Sequence, residues 1–305
     1  MTNNTPKISI VIAAYNHGRY IDQTIKSVLA QTFRDFEVIV IDDGSKDDTR
    51  NIVNAIKDER IRYVYQENSG LPACARNKGM SMARGEYISL LDGDDYWHKE
   101  KLFRSKVILD NDETVGLVCH NEHVLYNDKI LRTTSYGPYV DDMYLKLLLV
   151  GNCLHTSAIT MRRNIFFEDA CRFCEDKALF TIEDYEYWLR LSRKYRFHFI
   201  PDVLGYYRVT ETGAFLSAGG SNAINMLRLL DSNFGQIKDP DNHTRSMMNK
   251  RRSSVMCAAG RACHHKGDFK HAMKWYVEAF KENRLNYKAY IGLAAAIFRL
   301  RILYK

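Results

Sequence analysis

Hydrophobic and polar positions alternate in blocks along the first third of the chain. Residues 7–14 (KISIVIAA) form a short β-branched apolar run, the pattern of a strand buried on both faces. A polar turn, YNHG, follows, and Ile21, Ile25, Val28 and Leu29 then fall at the three- and four-residue spacing of one helix face. Residues 36–41 (FEVIVI) predict a second buried strand that stops at Asp42-Asp43-Gly44-Ser45. Ser45 or Asp47 can cap the next helix, which carries Ile52, Val53 and Ile56. The same reading predicts a third strand over 61–65, a helix over 72–83 and a fourth strand over 87–91 (YISLL). Strand and helix alternating at this spacing predict β-α-β crossovers and a parallel sheet.

After residue 97 the pattern is mixed. A helix near 99–110, strand-like runs at 115–126 and 157–162, and a helix starting near Glu183 are expected. From about residue 221 onward the spacing is helical. Ala259, Gly267-Asp268-Phe269, Ala272, Tyr276 and Ala279 resemble one tetratricopeptide hairpin. A single copy cannot build a solenoid, so a small helical appendage is expected.

Composition sharpens this picture at two points. The 305 residues are 46% apolar and 27% charged, a globular balance, and no apolar run approaches the roughly 18–20 residues of a bilayer span. A polar start leading straight into a strand shows no signal peptide, which leads to a cytoplasmic expectation. The net charge of +7 is unevenly placed: residues 241–305 hold 14 Lys/Arg against 4 Asp/Glu, whereas residues 1–240 hold 30 against 33. A basic tail on a near-neutral body predicts an anionic partner for the tail, either membrane lipid or nucleic acid. The seven cysteines are odd in number and dispersed, the usage of reduced thiols. Cys171 and Cys174 form a CxxC and Cys263-His264-His265 could add ligands, but their spacing is not that of a common zinc module.

In parallel sheets, ligands bind at the carboxyl ends of the strands. Asp42 and Asp43 close the second strand, and Asp92, Asp94 and Asp95 close the fourth, so five carboxylates are expected to face one crevice. The DGDD at 92–95 is the sharpest feature. Two carboxylates two positions apart can hold a divalent cation, magnesium or manganese, that also grips phosphate oxygens. The plain alternative is a solvated acidic turn.

SIVIAAYN (9–16), QTFRDFEVIVIDDGSKDDT (31–49), NSGLPACARNKGMSMARGEYISLLDGDD (68–95) and the later Glu183-Asp184 together resemble the family 2 inverting glycosyltransferases with the GT-A fold. The likeness runs in order over about residues 7–210. It implies a Rossmann-like α/β domain over 1–220, with a mixed, mainly parallel sheet flanked by helices. Its nucleotide-binding half would cover about 1–97 and its acceptor half about 98–220, with a basic helical region over 221–305. The implied reaction moves a sugar from a nucleotide-sugar, most often a UDP-sugar, to an acceptor hydroxyl with inversion, in surface polysaccharide or glycan synthesis.

Residue roles follow from the same resemblance. Ala13, Ala14 and Tyr15 would line the nucleoside, and Asp43 would accept from uracil N3–H, which a carboxylate suits because it only accepts. Arg76 would contact the base or the phosphates, and Asp92 the ribose or donor sugar. Asp94 and Asp95 would hold the metal. Within Glu183-Asp184, Asp184 would be the general base, although two acids in a first helical turn also serve stability. Family members often carry Tyr-Arg-x-His after the last core strand. This chain has Tyr207-Arg208-Val209-Thr210, so Arg208 is the candidate diphosphate contact and His155 a weaker one.

Other readings fit less well. Nucleotidyl transfer and dinucleotide-dependent redox chemistry both want a Gly-rich phosphate loop after the first strand, and AAYNHGRY is not one. A helical scaffold on an inactive body would not need DGDD and Glu183-Asp184 intact. At the far end, residues 283–305 carry Arg284, Lys288, Arg299, Arg301 and Lys305, no acid, and the apolar stretch YIGLAAAIF. That composition predicts a peripheral segment on an anionic membrane surface, with a helix packed on the preceding hairpin or on a second subunit as the alternative. Nucleic acid is not expected, because no aromatic-basic platform accompanies the charge.

Overall fold

The computed structural model describes residues 5–168, 171–210 and 221–300. Among them, residues 5–144, 152–177 and 183–210 form one compact unit, and residues 145–151, 178–182 and 221–300 form another.

The first unit is built on a nine-stranded sheet. Strands β1 (Ile8–Ala14), β2 (Phe36–Asp43), β3 (Ile61–Gln66) and β4 (Tyr87–Asp92) run parallel in the order β3-β2-β1-β4. Every residue of β1 and β2 is buried, as continuous apolar strands covered on both faces require. Helix α1 (Ile21–Leu29) buries Ile21, Ile25 and Val28, the stripe read from spacing. The next helix, α2 (Thr49–Ala55), starts differently from expectation: Asp48 stands at its cap position without a capping bond. Asp47 instead accepts from Thr49 N, Thr49 Oγ1 and Gly18 N, and Ser45 Oγ accepts from Asn16 N. These side chains stitch the β1 and β2 loops together. Helix α3 (Pro72–Met82) has proline at its first position and rests on β1 through Gly79, where an added Cβ would come within 2.3 Å of Val11 Cγ1.

The sheet continues through β5 (Tyr96–Trp97), α4 (Lys101–Asn111), β6 (Val115–Tyr126) and β7 (Lys129–Thr134), then α5 (Met143–Val150), whose residues from 145 on belong to the second unit. Next come a single 3₁₀ turn (Thr156–Ala158), β8 (Ile159–Arg162), α6 (Asn164–Phe167), α7 (Glu183–Ser192) and β9 (Arg196–Arg208). Strand β8 pairs antiparallel with β4 and β6, β9 lies parallel to β6, and β5 pairs antiparallel with β9. The last pairing returns the end of β9 to the end of β4. Lys101 on α4 is wholly buried: its Nζ hydrogen-bonds with Ser89 Oγ, Thr160 Oγ1 and Ile159 O and lies 3.8 Å from the Trp97 ring centroid. Burial holds its pKa well below the usual lysine range.

The second unit contains α8 (Ser221–Phe234), α9 (Asn242–His265), α10 (Phe269–Glu282) and α11 (Tyr287–Ile297). Its boundary differs from the 220/221 division read from sequence, because 145–151 and 178–182 group with the helices. The cause is local: the Arg251 guanidinium fills the space beside Gly151, 3.1 Å from where a Cβ would stand, and Thr181 Oγ1 accepts from the Asn222 amide. Asp268 and Asn286 cap α10 and α11 by accepting from His271 N and Ala289 N. The buried Tyr276 ring sits against Gly260 and Gly292, with Ala272, Ala279, Ala289 and Ala296 around it. His264 bonds to Leu300 O (2.7 Å) and packs its ring on Phe269, so it is occupied as a helix-packing residue. No described helix is long and apolar enough to cross a membrane.

Candidate active site

Strand register gathers the acidic residues. Ala14 pairs with Asp42 and Ala13 with Asp92, which sets the ends of β2 and β4 on either side of β1. The five carboxylates do not all remain open, however. Asp42 accepts from Ser45 N (2.7 Å) and Tyr63 Oη (2.5 Å) and serves the loop. Asp43, buried, accepts from Gln66 Nε2 and from the backbone N and hydroxyl of Ser69 (3.2 and 2.9 Å), which engages most of its acceptor capacity. Ala13 and Ala14 are buried at the strand end, and Tyr15 beyond them is exposed.

The DGDD turn is held from below. Thr24 Oγ1 donates to both Gly93 O (3.0 Å) and Asp95 O (2.7 Å). Gly93 is required by crowding, since a Cβ there would lie 2.5 Å from His17 Nδ1. The four positions then diverge. Asp95 is buried, accepting from Ser157 Oγ (2.6 Å) and Arg208 N (2.8 Å), and burial together with the Asp94 charge pushes its pKa well up. Asp94 is partly exposed, and among the described residues its carboxylate has only His17 Nε2 nearby, at 3.9 Å. Asp92 is gripped by Arg76 Nη2, 2.9 and 3.1 Å from its two oxygens.

Arg76 is the residue whose place sequence spacing did not reveal. Its guanidinium is buried, and its other nitrogen, Nη1, donates to Glu183 Oε1 (2.9 Å). Burial acts to lower its pKa, but the Asp92 and Glu183 charges carry it above its usual value. The pairing also pulls the Asp92 pKa down against the burial that would raise it. One cation therefore ties the end of β4 to the start of α7, where the resemblance alone assigned it to base or phosphate. Next to Glu183, Asp184 accepts from Asn152 Nδ2 (3.0 Å) and Tyr185 N (2.6 Å). Burial first, and the Glu183 charge second, raise the Asp184 pKa to about 6.

Arg208 is likewise engaged. It donates to Asp94 O and Gln23 Oε1, pairs with Asp128 (3.3 Å) and lies between the Tyr20 and Tyr96 rings. Those contacts make it a brace under the DGDD turn. A second cationic group is His155, paired with Glu122. Its Nδ1 is 2.9 Å from Glu122 Oε2, its Nε2 is 4.0 Å from Asp95 Oδ2, and its ring lies on Tyr207 at 4.2 Å. Burial would lower its pKa, but Glu122 overrides that and holds it at about 10. Glu122 is fully buried and also accepts from Tyr136 Oη (2.8 Å). The sequence did carry a signal here: His120-Asn121-Glu122-His123 is a polar run in the middle of a strand that is apolar on both sides of it.

The donor set fits a hard divalent cation. Among the described residues, Asp92, Asp95 and His155 are the one group of three or more potential ligands whose atoms lie within 4.8 Å of each other. The expected pair was Asp94 and Asp95; Asp94 falls outside the cluster because its carboxylate lies toward His17. A protonated imidazole has no lone pair to give. The carboxylates are thus the natural ligands, with Asp94 the least engaged of them. His17 Nδ1, buried without a hydrogen-bond partner among the described residues, is a further polar atom at this spot.

Comparison with known proteins agrees with this architecture. A sequence model described as Glycosyl transferase family 2 matches residues 9–167. Escherichia coli WfaP, a UDP-Glc:alpha-D-GlcNAc-diphosphoundecaprenol beta-1,3-glucosyltransferase, is 34% identical over 190 residues, covering 61% of this chain and 70% of its own. The chain spans about half the length, or less, of several other curated glycosyltransferases that it matches. Staphylococcus aureus TarS in complex with UDP superposes with a TM-score of 0.67 at 19% identity, over 96% of this chain and 87% of that one. The mannosyltransferase PcManGT from Pyrobaculum calidifontis, in complex with GDP-Man and Mn2+, gives 0.58 at 17% identity, over 96% and 85%. At these identities the two structures speak to the fold alone.

Proposed function

Because the chain belongs to glycosyl transferase family 2, we propose that it transfers a sugar from a UDP-sugar to a hydroxyl of a glycan, with inversion at the anomeric carbon. The observation that carries this reading is the buried Asp92–Arg76–Glu183 bridge, which holds the DGDD turn and the Asp184 helix in one rigid arrangement. Residues 1–97 would hold the nucleotide and residues 98–220 the acceptor. UDP is the donor carrier favoured by likeness to WfaP, whose name specifies UDP-Glc, and to TarS, which binds UDP. WfaP also acts on a diphosphoundecaprenol-linked acceptor, which favours a lipid-linked glycan and a site of action at the cytoplasmic face of a membrane.

In this reading Asp184 takes the proton of the acceptor hydroxyl as its oxygen attacks the anomeric carbon, and the nucleotide diphosphate departs from the opposite face. A carboxyl held near pH 6 is ionised at neutral pH yet still basic enough to accept a proton. A divalent cation, Mn2+ or Mg2+, would be held by Asp94 with Asp92 and Asp95 and would supply charge neutralisation for the leaving diphosphate. His155, kept cationic by Glu122, adds fixed positive charge beside the same carboxylates. Incubation with a panel of nucleotide-sugars, followed by assignment of the product's anomeric configuration, tests the proposal. Turnover of a UDP-sugar with inversion is the expected result. Retention, or no UDP-sugar turned over or hydrolysed, would overturn it.

A further inference from the structure

Helix α11 is turned inside out relative to an ordinary amphipathic helix. The face that packs on its own unit is made of small residues: Ala289, Gly292, Ala295 and Ala296 are buried, and Gly292 abuts the Tyr276 ring. Apart from Leu293, which packs on the cluster around Tyr276, the large apolar residues are on the other side. Tyr287, Ile291, Ala294 and Phe298 follow one another at helical spacing along a single exposed stripe, with Ile297 beside it. Exposures of 64% at Tyr287, 54% at Ile291 and 72% at Phe298 show that the packing of α11 leaves this stripe uncovered. Leu285 before the helix (82%) and Leu300 after it (58%) extend it at both ends. The helix thus packs on the hairpin, as one alternative raised by the sequence had it, and does so with its small residues and Leu293, leaving its other large apolar side chains uncovered.

What the stripe would meet follows from its surroundings. Arg284, Lys288 and Arg299 border it and are all exposed. No acidic residue occurs from Asn283 to the last residue. Arg301 and Lys305, which continue the basic pattern, lie outside the described residues. Large apolar residues in a line, with exposed cations and no acid in the same segment, match the boundary between acyl chains and anionic headgroups. The helix has 11 residues, too few to span a bilayer and enough to lie in its surface.

We propose that the exposed face of α11 is a docking surface for an anionic lipid bilayer, lying in the plane of the membrane with Tyr287, Ile291, Ile297 and Phe298 inserted and Arg284, Lys288 and Arg299 against the headgroups. Binding by this face depends only on the second unit, so it stands or falls separately from the catalytic proposal. A lipid-linked acceptor would be presented at the same surface.

The test is flotation of the full chain with vesicles of mixed phosphatidylglycerol and phosphatidylcholine, against vesicles of phosphatidylcholine alone. The parent should float with the anionic vesicles and lose at least about tenfold in affinity when anionic lipid is omitted or salt is raised. Ile291→Asp/Phe298→Asp should abolish flotation. Lys288→Glu should weaken it about tenfold or more, since reversing a charge replaces attraction with repulsion. These side chains are exposed, so an unchanged melting temperature for the variants separates lost binding from lost folding. Equal flotation with both vesicle types, or flotation unaffected by the double variant, would overturn the proposal. So would a doubling of mass in light scattering that the double variant abolishes, with no flotation, because the stripe would then cover a second copy of the chain.

Discussion

The strand ends of the sheet and the helical unit depart from ordinary folding rules in opposite directions. At the strand ends charges are inside: Arg76, Asp95, Glu122 and Glu183 are buried, and each is paired or hydrogen-bonded. Around helix α11 the buried positions are mostly alanine and glycine set against Tyr276, while Ile291, Ile297 and Phe298 stand on the surface. A buried charge is costly unless paired, and an exposed apolar stripe loses the stabilisation that burial would supply. Each region thus gives up stability locally. The first does so where donor and acceptor must be held, the second where a surface must be recognised. Deviations from fold-optimal placement are where function should be sought, and here they point to two different kinds of partner.

Substitutions can break that contrast, beginning with the largest effect. Arg76→Met leaves the buried Glu183 and the partly exposed Asp92 without their cation. Unfolding in urea should reveal a loss of about 3–5 kcal/mol, and transfer should vanish. A variant that keeps both stability and turnover would remove the bridge from the argument. Asp184→Asn retains the shape and loses the basicity. Its turnover should fall about 10²–10⁴-fold with UDP affinity nearly unchanged by calorimetry. Asp94→Ala, and separately a chelator added to the parent, should each suppress transfer while leaving the melting temperature of the nucleotide-free protein in place. Full activity in chelator would refute the cation's role.

The pH profile sharpens the contrast further. The Asp184 pKa is raised to about 6 by burial and by Glu183, so the base is protonated and idle below that value and ionised above it. Turnover should therefore rise about tenfold per pH unit up to about pH 6 and level off above, and the Asn variant should lack that limb. The sign for stability is opposite. An acid whose folded pKa is raised is destabilising once ionised, so this group favours the fold less as pH climbs through the same range. The smallest effect belongs to the helices. Gly292→Ala would drive a Cβ to 2.4 Å from the Tyr276 ring and should cost about 1–3 kcal/mol in that unit, with turnover on a soluble acceptor unchanged.

What could be read from the chain divides along the same line. Strands β1, β2 and β4 were legible because each is a mainly apolar buried run closed by turn residues, and α1 because its buried stripe repeats at helical spacing. The parallel order of β1 to β4 followed from that alternation, and the mixed GT-A sheet from the family resemblance. The wiring of the site was not legible in the same way. Arg76 and Glu183 are 107 positions apart, and nothing local marks them as partners. Asp42 and Asp43 look like Asp92 and Asp94 by composition, yet Ser45, Tyr63 and Ser69 consume the former pair as loop anchors. Helix α11 shows the limit from the other side: YIGLAAAIF is apolar nearly all round, so only packing decides that its small residues face in.

Lys101 offers a clock for the sheet. Acylating reagents need an accessible amine, and this one, its pKa lowered by burial, is sealed among Ser89, Thr160, Ile159 and Trp97. Its modification must wait for α4 to lift from β4 and β8. The rate at which a peptide bearing Lys101 gains label, compared with that of the exposed Lys99 two positions earlier in the chain, is then the opening rate of that seam, read under native conditions without denaturant.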